Sequence, residues 1–318
     1  MIAITGAAGF IGSNLAQALQ QTHELLLVDD FTDEHKAANF LNLKGLRIDR
    51  NQFADWLLEN PGEVDFIFHL GARTDTTEFN FRVLDSLNTS YSKVLWEIAT
   101  TRGIPMVYAS SAATYGMGEW GFDDNESLVP QLKPLNPYGL SKQLFDVHVL
   151  QSVARPPFWA GLKFFNVYGP HENHKGRMAS VIFHAWKQIR ETGKLHLFES
   201  HRSDFVHGGQ LRDFIHVNDV VAVCCFFLEN RKTSGIFNVG TGKARSFNDL
   251  AAAVFSAMKR DAVVDYIPTP LDIRDKYQYF TEAKMEKLKS AGYRSGFLPL
   301  EEGVNSYIAW LENGRENG

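Results

Sequence analysis

Cysteine is nearly absent from the chain. Among 318 residues there are two, the adjacent Cys224 and Cys225, inside the apolar run Val220–Leu228. With no Cys-X-X-Cys spacing they offer neither a disulfide framework nor a sulfur cage for a metal. They read as two buried small hydrophobes of a protein in a reducing compartment, and no metal site is expected. Long apolar runs are also missing, none reaching the roughly 18 residues that span a bilayer. No basic block occurs and the formal net charge is −5, so neither nucleic acid nor a membrane is an expected partner. The strand-like Met1–Thr5 opens the chain without space for a leader, which makes the cytoplasm the expected location.

What is present is an enzyme-like composition, 44% hydrophobic and 22% charged, in a length that fits about two domains. Six short apolar runs read as strands buried on both faces: Ile2–Thr5, Leu25–Val28, Phe66–Leu70, Met106–Ser110, Gly161–Phe165 and Ile236–Val239. Segments of helical composition separate them, at Ser13–Gln20, Ser90–Thr101 and Tyr138–Ser152. Strand–helix alternation of this kind predicts an α/β protein with an open, doubly wound parallel sheet. After Phe165 the texture turns to His, Arg, Lys and Gly, with a helix near Met178–Thr192 and another around Leu300–Leu311. An aromatic cluster (Tyr266, Tyr277, Tyr279, Phe280) lies between. These segments read as a smaller α/β substrate lobe. The expected division is 1–166 with about 212–240 for the sheet domain, and about 167–211 with 241–318 for the lobe.

The opening Gly6-Ala7-Ala8-Gly9-Phe10-Ile11-Gly12 lies between a strand and a helix. Gly6 permits a tight turn, Gly9 a close backbone approach to a pyrophosphate, and Gly12 close helix packing. A glycine triplet alone means little; its place after the first strand gives it weight. Asp29 and Asp30 follow at the end of the second strand, where an acid can bond an adenosine ribose. An acid there favours NAD over NADP, and Lys36 nearby could offset it.

Tyr138-Gly139-Leu140-Ser141-Lys142 places a phenol and an ammonium one helical turn apart on one face. A phenol of ordinary pKa about 10 is a poor base at neutral pH, and a neighbouring cation should bring it down. Upstream, Ser110-Ser111-Ala112-Ala113-Thr114-Tyr115-Gly116 ends a strand in a hydroxyl-rich turn. Ser111 can there hydrogen-bond a substrate alcohol or ketone, although turn serines are common.

Taken with Phe165–Pro170, Leu211–Phe214 and Phe237–Gly242, these motifs resemble the extended short-chain dehydrogenase/reductase family of sugar-nucleotide epimerases and dehydratases, over nearly the whole chain. Within it, His174–His184, Gly71–Glu78 and Lys276–Thr281 resemble the branch that inverts carbon 6 of an ADP-linked heptose for lipopolysaccharide core, more than the UDP-galactose 4-epimerases. The resemblance implies Ser111, Tyr138, Lys142 and Lys175 as the catalytic set, Lys175 being a second acid/base opposite Tyr138. It implies a cofactor pocket of Gly6, Gly9, Phe10, Ile11, Gly12, Asp29, Asp30, Lys36, Leu70, Gly71, Ala72, Arg73, Thr74, Asn88, Tyr138, Lys142, Val167 and Lys175. The substrate side would hold Ser111, Asn166, Arg177, His184, Phe198, Glu199, Ser200, His201, Arg212 and Tyr277. The implied cofactor is NADP, with NAD usable; the implied partners are a nucleotide sugar and further copies of the chain, a pentamer being one such assembly.

Bottom-up, His174–Arg177 reads equally as a basic phosphate loop. Arg212 competes between a diphosphate and an ion pair with Asp213, and His184 between a ligand and a packed core histidine. Departures from the family pattern are Asp30 in place of Asn, Arg177 in place of a smaller residue, and a short insertion around Ser203–Gln210. The alternatives at this point are a UDP-hexose 4-epimerase, a nucleotide-sugar dehydratase and a non-catalytic dinucleotide sensor. The run Ser111–Thr114 lacks the carboxylate a dehydratase would use, and a sensor would not need both Tyr138 and Lys142.

Overall fold

The computed structural model describes residues 1–274 and 277–314. Lys276 of the motif above therefore lies outside the described residues. A seven-stranded sheet, parallel throughout, runs through the molecule. Ile2–Thr5 is central. Leu25–Asp29 and Leu46–Asp49 follow on one side; Phe66–His69, Met106–Ser111, Trp159–Phe164 and Gly235–Val239 follow in turn on the other. Every residue of five of these strands is buried, as a sheet covered by helices on both faces requires. The doubly wound α/β architecture expected from the sequence is present. Leu46–Asp49 went unforeseen because it is an edge strand with Leu46 and Arg47 exposed, and so carries no continuous apolar run.

One face of the sheet is covered by the helices Phe10–Leu19 and Val217–Glu229, the other by Phe53–Glu59, Tyr91–Arg102 and Pro137–Gln151. Cys224 is buried in the first layer and Cys225 is half-buried, both as free thiols. Ala283, Met285, Leu288 and Tyr293 join this layer. A third core collects Tyr168, Ile182, Trp186, Leu197, Phe214, Val254 and Tyr307, between the helices Val181–Thr192, Phe247–Ala257 and Leu300–Glu312. Three two-stranded pairings border it: Asn166–Tyr168 with Phe214–His216, Leu195–Phe198 with Val264–Ile267, and Leu211–Arg212 with Arg245–Ser246. The anticipated aromatic cluster splits. Tyr277 and Tyr279 meet at 5.6 Å, whereas Tyr266 packs on His207 and Phe280 on Phe122. Among the described residues no helix is long and apolar enough to cross a membrane.

The strand order reverses beside Ile2–Thr5, which opens a crevice at the carboxyl edge of the sheet, the position where such sheets bind ligands. Behind it lies a wholly buried ion pair, Lys163 Nζ to Asp146 Oδ2 at 2.6 Å, with neither side chain exposed. The Tyr108 and Ser110 hydroxyls donate to the same carboxylate at 3.0 and 2.7 Å, and the ammonium also donates to Thr114 Oγ1 at 2.7 Å. Thr114 in turn donates to the Ser111 carbonyl at 2.8 Å. The network thus fixes the hydroxyl turn against the helix Pro137–Gln151. Removing one partner of a buried pair strands the other charge, at about 3–5 kcal/mol. Lys163→Met should lower the unfolding free energy by that amount in urea titration, and adding Asp146→Leu should recover part of it. An unchanged midpoint in the single variant would show that the pair does not carry this stability.

Candidate active site

The glycine loop turns at Gly6, whose φ of +72° favours glycine. A Cβ there would stand 2.7 Å from the Gly71 nitrogen, and one on Gly12 would run into the Gly6 carbonyl. The Gly9 N–H donates to that carbonyl at 2.9 Å. The helix Phe10–Leu19 then begins with no side-chain cap and no acid in its first turn, so its first N–H groups and its dipole are available to an anion. Close approach and an uncapped helix start fit the pyrophosphate of a dinucleotide.

At the ends of the second and third strands, two carboxylates are each matched by a cation. Asp29 Oδ2 accepts the Ala8 N–H at 2.9 Å, and Oδ1 accepts the Lys36 ammonium at 3.0 Å and the Asp30 N–H at 2.8 Å. Asp29 therefore braces the glycine loop as well as marking the ribose end. Asp30 accepts from the Thr32 hydroxyl at 2.6 Å and lies 3.7 Å from the Arg50 guanidinium. The bonds from Thr32, with Arg50 and Lys36, hold its carboxyl below the usual range. Arg50 was missed from the sequence. Its signal was position, directly after the third strand, with its N–H on the Asp29 carbonyl at 3.1 Å.

A cleft of about 350 Å³ lies over the carboxyl edge. It is lined by Phe10, Ile11, Leu70, Ala72, Thr74, Ser111, Tyr138, Lys142, Asn166, Val167 and Lys175, all anticipated, and also by Thr76, Ser110, Met178, Ala179, Ser180, Val181 and Phe214. Asn136 caps the helix carrying Tyr138 and Lys142, accepting the Gly139 N–H at 2.8 Å, with Pro137 in its first turn. That cap puts Tyr138 at the cleft mouth and buries Lys142 one turn below.

Burial raises the Tyr138 phenol above its usual pKa, and the neighbouring Ser111 side chain opposes the shift. The expected lowering of the phenol by Lys142 is not found. The Lys142 ammonium donates instead to the Ala109 carbonyl at 2.9 Å, and burial brings its own pKa down to about 8, against the pull of Asp146. Lys175 sits in the turn Asn173–Met178, its ammonium 5.2 Å from the Phe10 ring centroid. Burial lowers its pKa and Glu172 opposes the shift.

Several anticipated residues brace the cleft instead of lining it. Asn88 is fully buried, accepting the Arg73 N–H at 2.7 Å and donating to the Arg73 carbonyl and Ser141 Oγ, each at 3.0 Å. It therefore ties the Leu70–Thr74 segment to the Tyr138 helix. Gly71 donates to Thr5 Oγ1 at 3.0 Å, and the Arg73 guanidinium lies 3.6 Å from Asp75. Arg177 is exposed, and its guanidinium reaches Asp75 at 3.4 Å and the Thr77 hydroxyl. Thr76 Oγ1 meets Met178 Sδ at 3.4 Å across the cleft. His184 is exposed, one helical turn beyond Ser180, with its ring against Phe183. It is neither a core histidine nor part of the cleft lining.

Farther out, Arg212 is buried with its guanidinium 5.6 Å from the Tyr277 ring and bonded to the Leu211 and Gln278 carbonyls. The competing ion pair with Asp213 does not form. That carboxylate accepts instead the N–H groups of Thr241, Gly242 and Ala283. Among the described residues no carboxylate pairs with Arg212, so a buried positive charge waits beside Tyr277, which suits a phosphate. Phe198 and His201 pack on Tyr277 at 6.0 and 6.3 Å, Ser200 Oγ donates to Tyr279 Oη at 3.4 Å, and the Glu199 N–H bonds the Ile267 carbonyl at 2.8 Å.

The NAD dependent epimerase/dehydratase family model matches residues 2–240. ADP-L-glycero-D-manno-heptose-6-epimerase of Fusobacterium nucleatum is 44% identical over 97% of both chains. The protein of the same name from Nitratidesulfovibrio vulgaris is 45% identical, again over 97% of each. The crystal structure of Helicobacter pylori ADP-L-glycero-D-manno-heptose-6-epimerase superposes with a TM-score of 0.83 at 30% identity, over 98% of this chain and 96% of that one. The glycine loop, the hydroxyl turn and the Tyr138–Lys142 helix thus sit in a chain that belongs to the NAD dependent epimerase/dehydratase family.

Proposed function

We propose that the chain is an epimerase that inverts carbon 6 of ADP-D-glycero-D-manno-heptose to give ADP-L-glycero-D-manno-heptose. The observation that carries this is the meeting of Ser111, Tyr138, Lys142 and Lys175 on one cleft, in a chain whose relatives bear that name. An unactivated carbinol carbon loses its configuration only by transient oxidation. A nicotinamide held beside Tyr138 and Lys142 would supply that chemistry, hydride removal from the carbon and return to its opposite face. Tyr138, beside Ser111 and kept protonated by burial, serves one orientation of the sugar hydroxyl. Lys175, whose burial eases proton release, serves the other. Ser111 hydrogen-bonds the ketone oxygen, Lys142 orients the cofactor ribose, and Arg212 takes the diphosphate. Incubation with ADP-D-glycero-D-manno-heptose and separation of the two 6-epimers tests the reading; recovery of unchanged substrate would refute it.

The proposed cofactor is NADP, with NAD usable. Lys36 and Arg50 flank Asp29 and Asp30 at 3.0 and 3.7 Å, so two cations offset the two acids at the ribose end. Charged contacts of this kind contribute about 1.5–3 kcal/mol each. The double variant Lys36→Ala/Arg50→Ala should therefore weaken NADP on the order of 10²-fold relative to NAD in a fluorescence titration. Release of NAD alone from the denatured protein would overturn the assignment.

Tyr138→Phe should cut turnover about 10²-fold or more with cofactor still bound, and near-normal turnover would remove Tyr138 from the mechanism. Lys175→Met should depress kcat with little change in KM, because a proton-transfer group acts only at the barrier. Rescue of that variant by excess substrate would make Lys175 a phosphate anchor.

A further inference from the structure

The substrate-side wall of the cleft is one continuous segment. Lys175, Met178, Ala179, Ser180 and Val181 all line it, yet the segment has little regular structure. Its turn Asn173–Met178 is broken at Gly176, with φ of +53° and ψ of −124°. What closes it is a carboxylate. Glu172 has no exposed surface, and its Oε1 accepts the Gly169 N–H at 3.3 Å and the Ser180 hydroxyl at 2.6 Å. Its Oε2 accepts the Ser180 N–H at 2.5 Å. The Glu172 carbonyl accepts the Lys175 N–H at 2.9 Å. Ser180 then caps the helix Val181–Thr192 through the Phe183 N–H at 3.2 Å. A single side chain thus joins the start of the loop, the lysine turn and the following helix.

A buried carboxylate with three donors and, among the described residues, no cation within ion-pair distance is costly unless its charge serves something. Its charge and that of the Lys175 ammonium act on each other's ionisation, and the Lys175 backbone is tied to the Glu172 carbonyl. Other charged groups around Lys175 are positive, neutral or already paired with a cation. His174 is held neutral by burial, with a pKa of about 4, beneath Lys36. Lys142 and Tyr138 share the cleft, and Asp29 is bonded to Lys36.

We propose that Glu172 is a positioning residue for proton transfer: closed inside the loop Gly169–Ser180, its carboxylate clamps the turn that carries the Lys175 ammonium to the cleft. The proposal rests on Lys175 being the second acid/base of the epimerase reading. Glu172 opposes the burial that favours the neutral amine, so removing its charge moves the Lys175 pKa further down.

The test uses holoenzyme labelled with [ε-13C]lysine, the Lys175 resonance being assigned by its loss in Lys175→Met. In Glu172→Gln the Lys175 resonance should titrate about one pH unit or more lower than in the native protein. The limb of the pH–rate profile that belongs to Lys175 should move the same way, with kcat about ten-fold lower and KM within about two-fold. A resonance that does not move overturns the positioning role, and this readout needs no turnover. A resonance that moves while kcat and the pH profile stay put instead removes Lys175 from the chemistry. Should Glu172→Gln not fold, Ser180→Ala decides. It keeps the charge and removes one clamp, so the lysine titration should hold while kcat falls at constant KM; a change confined to KM, or none, overturns the proposal.

Discussion

Parallel strands all end at the same edge, and this directional constraint organises the site. Gly6 follows the first strand, Asp29 ends the second, Leu70 follows the fourth, Ser111 ends the fifth and Phe165 follows the sixth. Residues far apart in the chain are brought to one crevice by nothing more than strand polarity and the reversal of strand order beside Ile2–Thr5. The two-stranded pairings of the lobe then lay Asn166 beside Phe214, which extends the same edge toward Arg212.

Because the crevice is cut into an apolar core, its charges are taken out of water and have to be answered one by one. Lys163 is answered by Asp146 with three hydroxyls in support. Asp213 is answered by backbone N–H groups, and Lys142 by a carbonyl. Arg212 has carbonyls and an aromatic face and, among the described residues, no carboxylate. A buried charge matched by an opposite charge acts as scaffold, and Arg212, matched only by carbonyls and a ring, is suited to an anionic ligand.

The sheet was legible in the sequence because strands covered on both faces need unbroken apolar runs, and the one strand that escaped, Leu46–Asp49, is half exposed. The glycine loop, Ser111 and the Tyr138–Lys142 helix were legible because their chemistry depends on local spacing. Arg50, Glu172 and the Asp146–Lys163 pair were not, since each acquires meaning from a partner brought by the fold: Asp30, the Ser180 cap, and the strand across the sheet. His184 and Arg177 lie outside the cleft lining for a related reason. A helical period locates a residue on a face but does not say how far along the helix the cleft extends. Arg177 next to Lys175 points outward across the break at Gly176.

That outward turn gives Arg177 a mechanical part. With Asp75 and Thr77 it forms a clasp from the lobe to the loop beyond Thr74, above the Thr76–Met178 contact that crosses the cleft. An exposed ion pair contributes at most about 1 kcal/mol, so the clasp adds little to the stability of the fold. Added salt screens such a pair while leaving the buried network beneath it nearly untouched. Ionic strength therefore weakens the exposed Arg177–Asp75 contact and spares the Lys163–Asp146 pair.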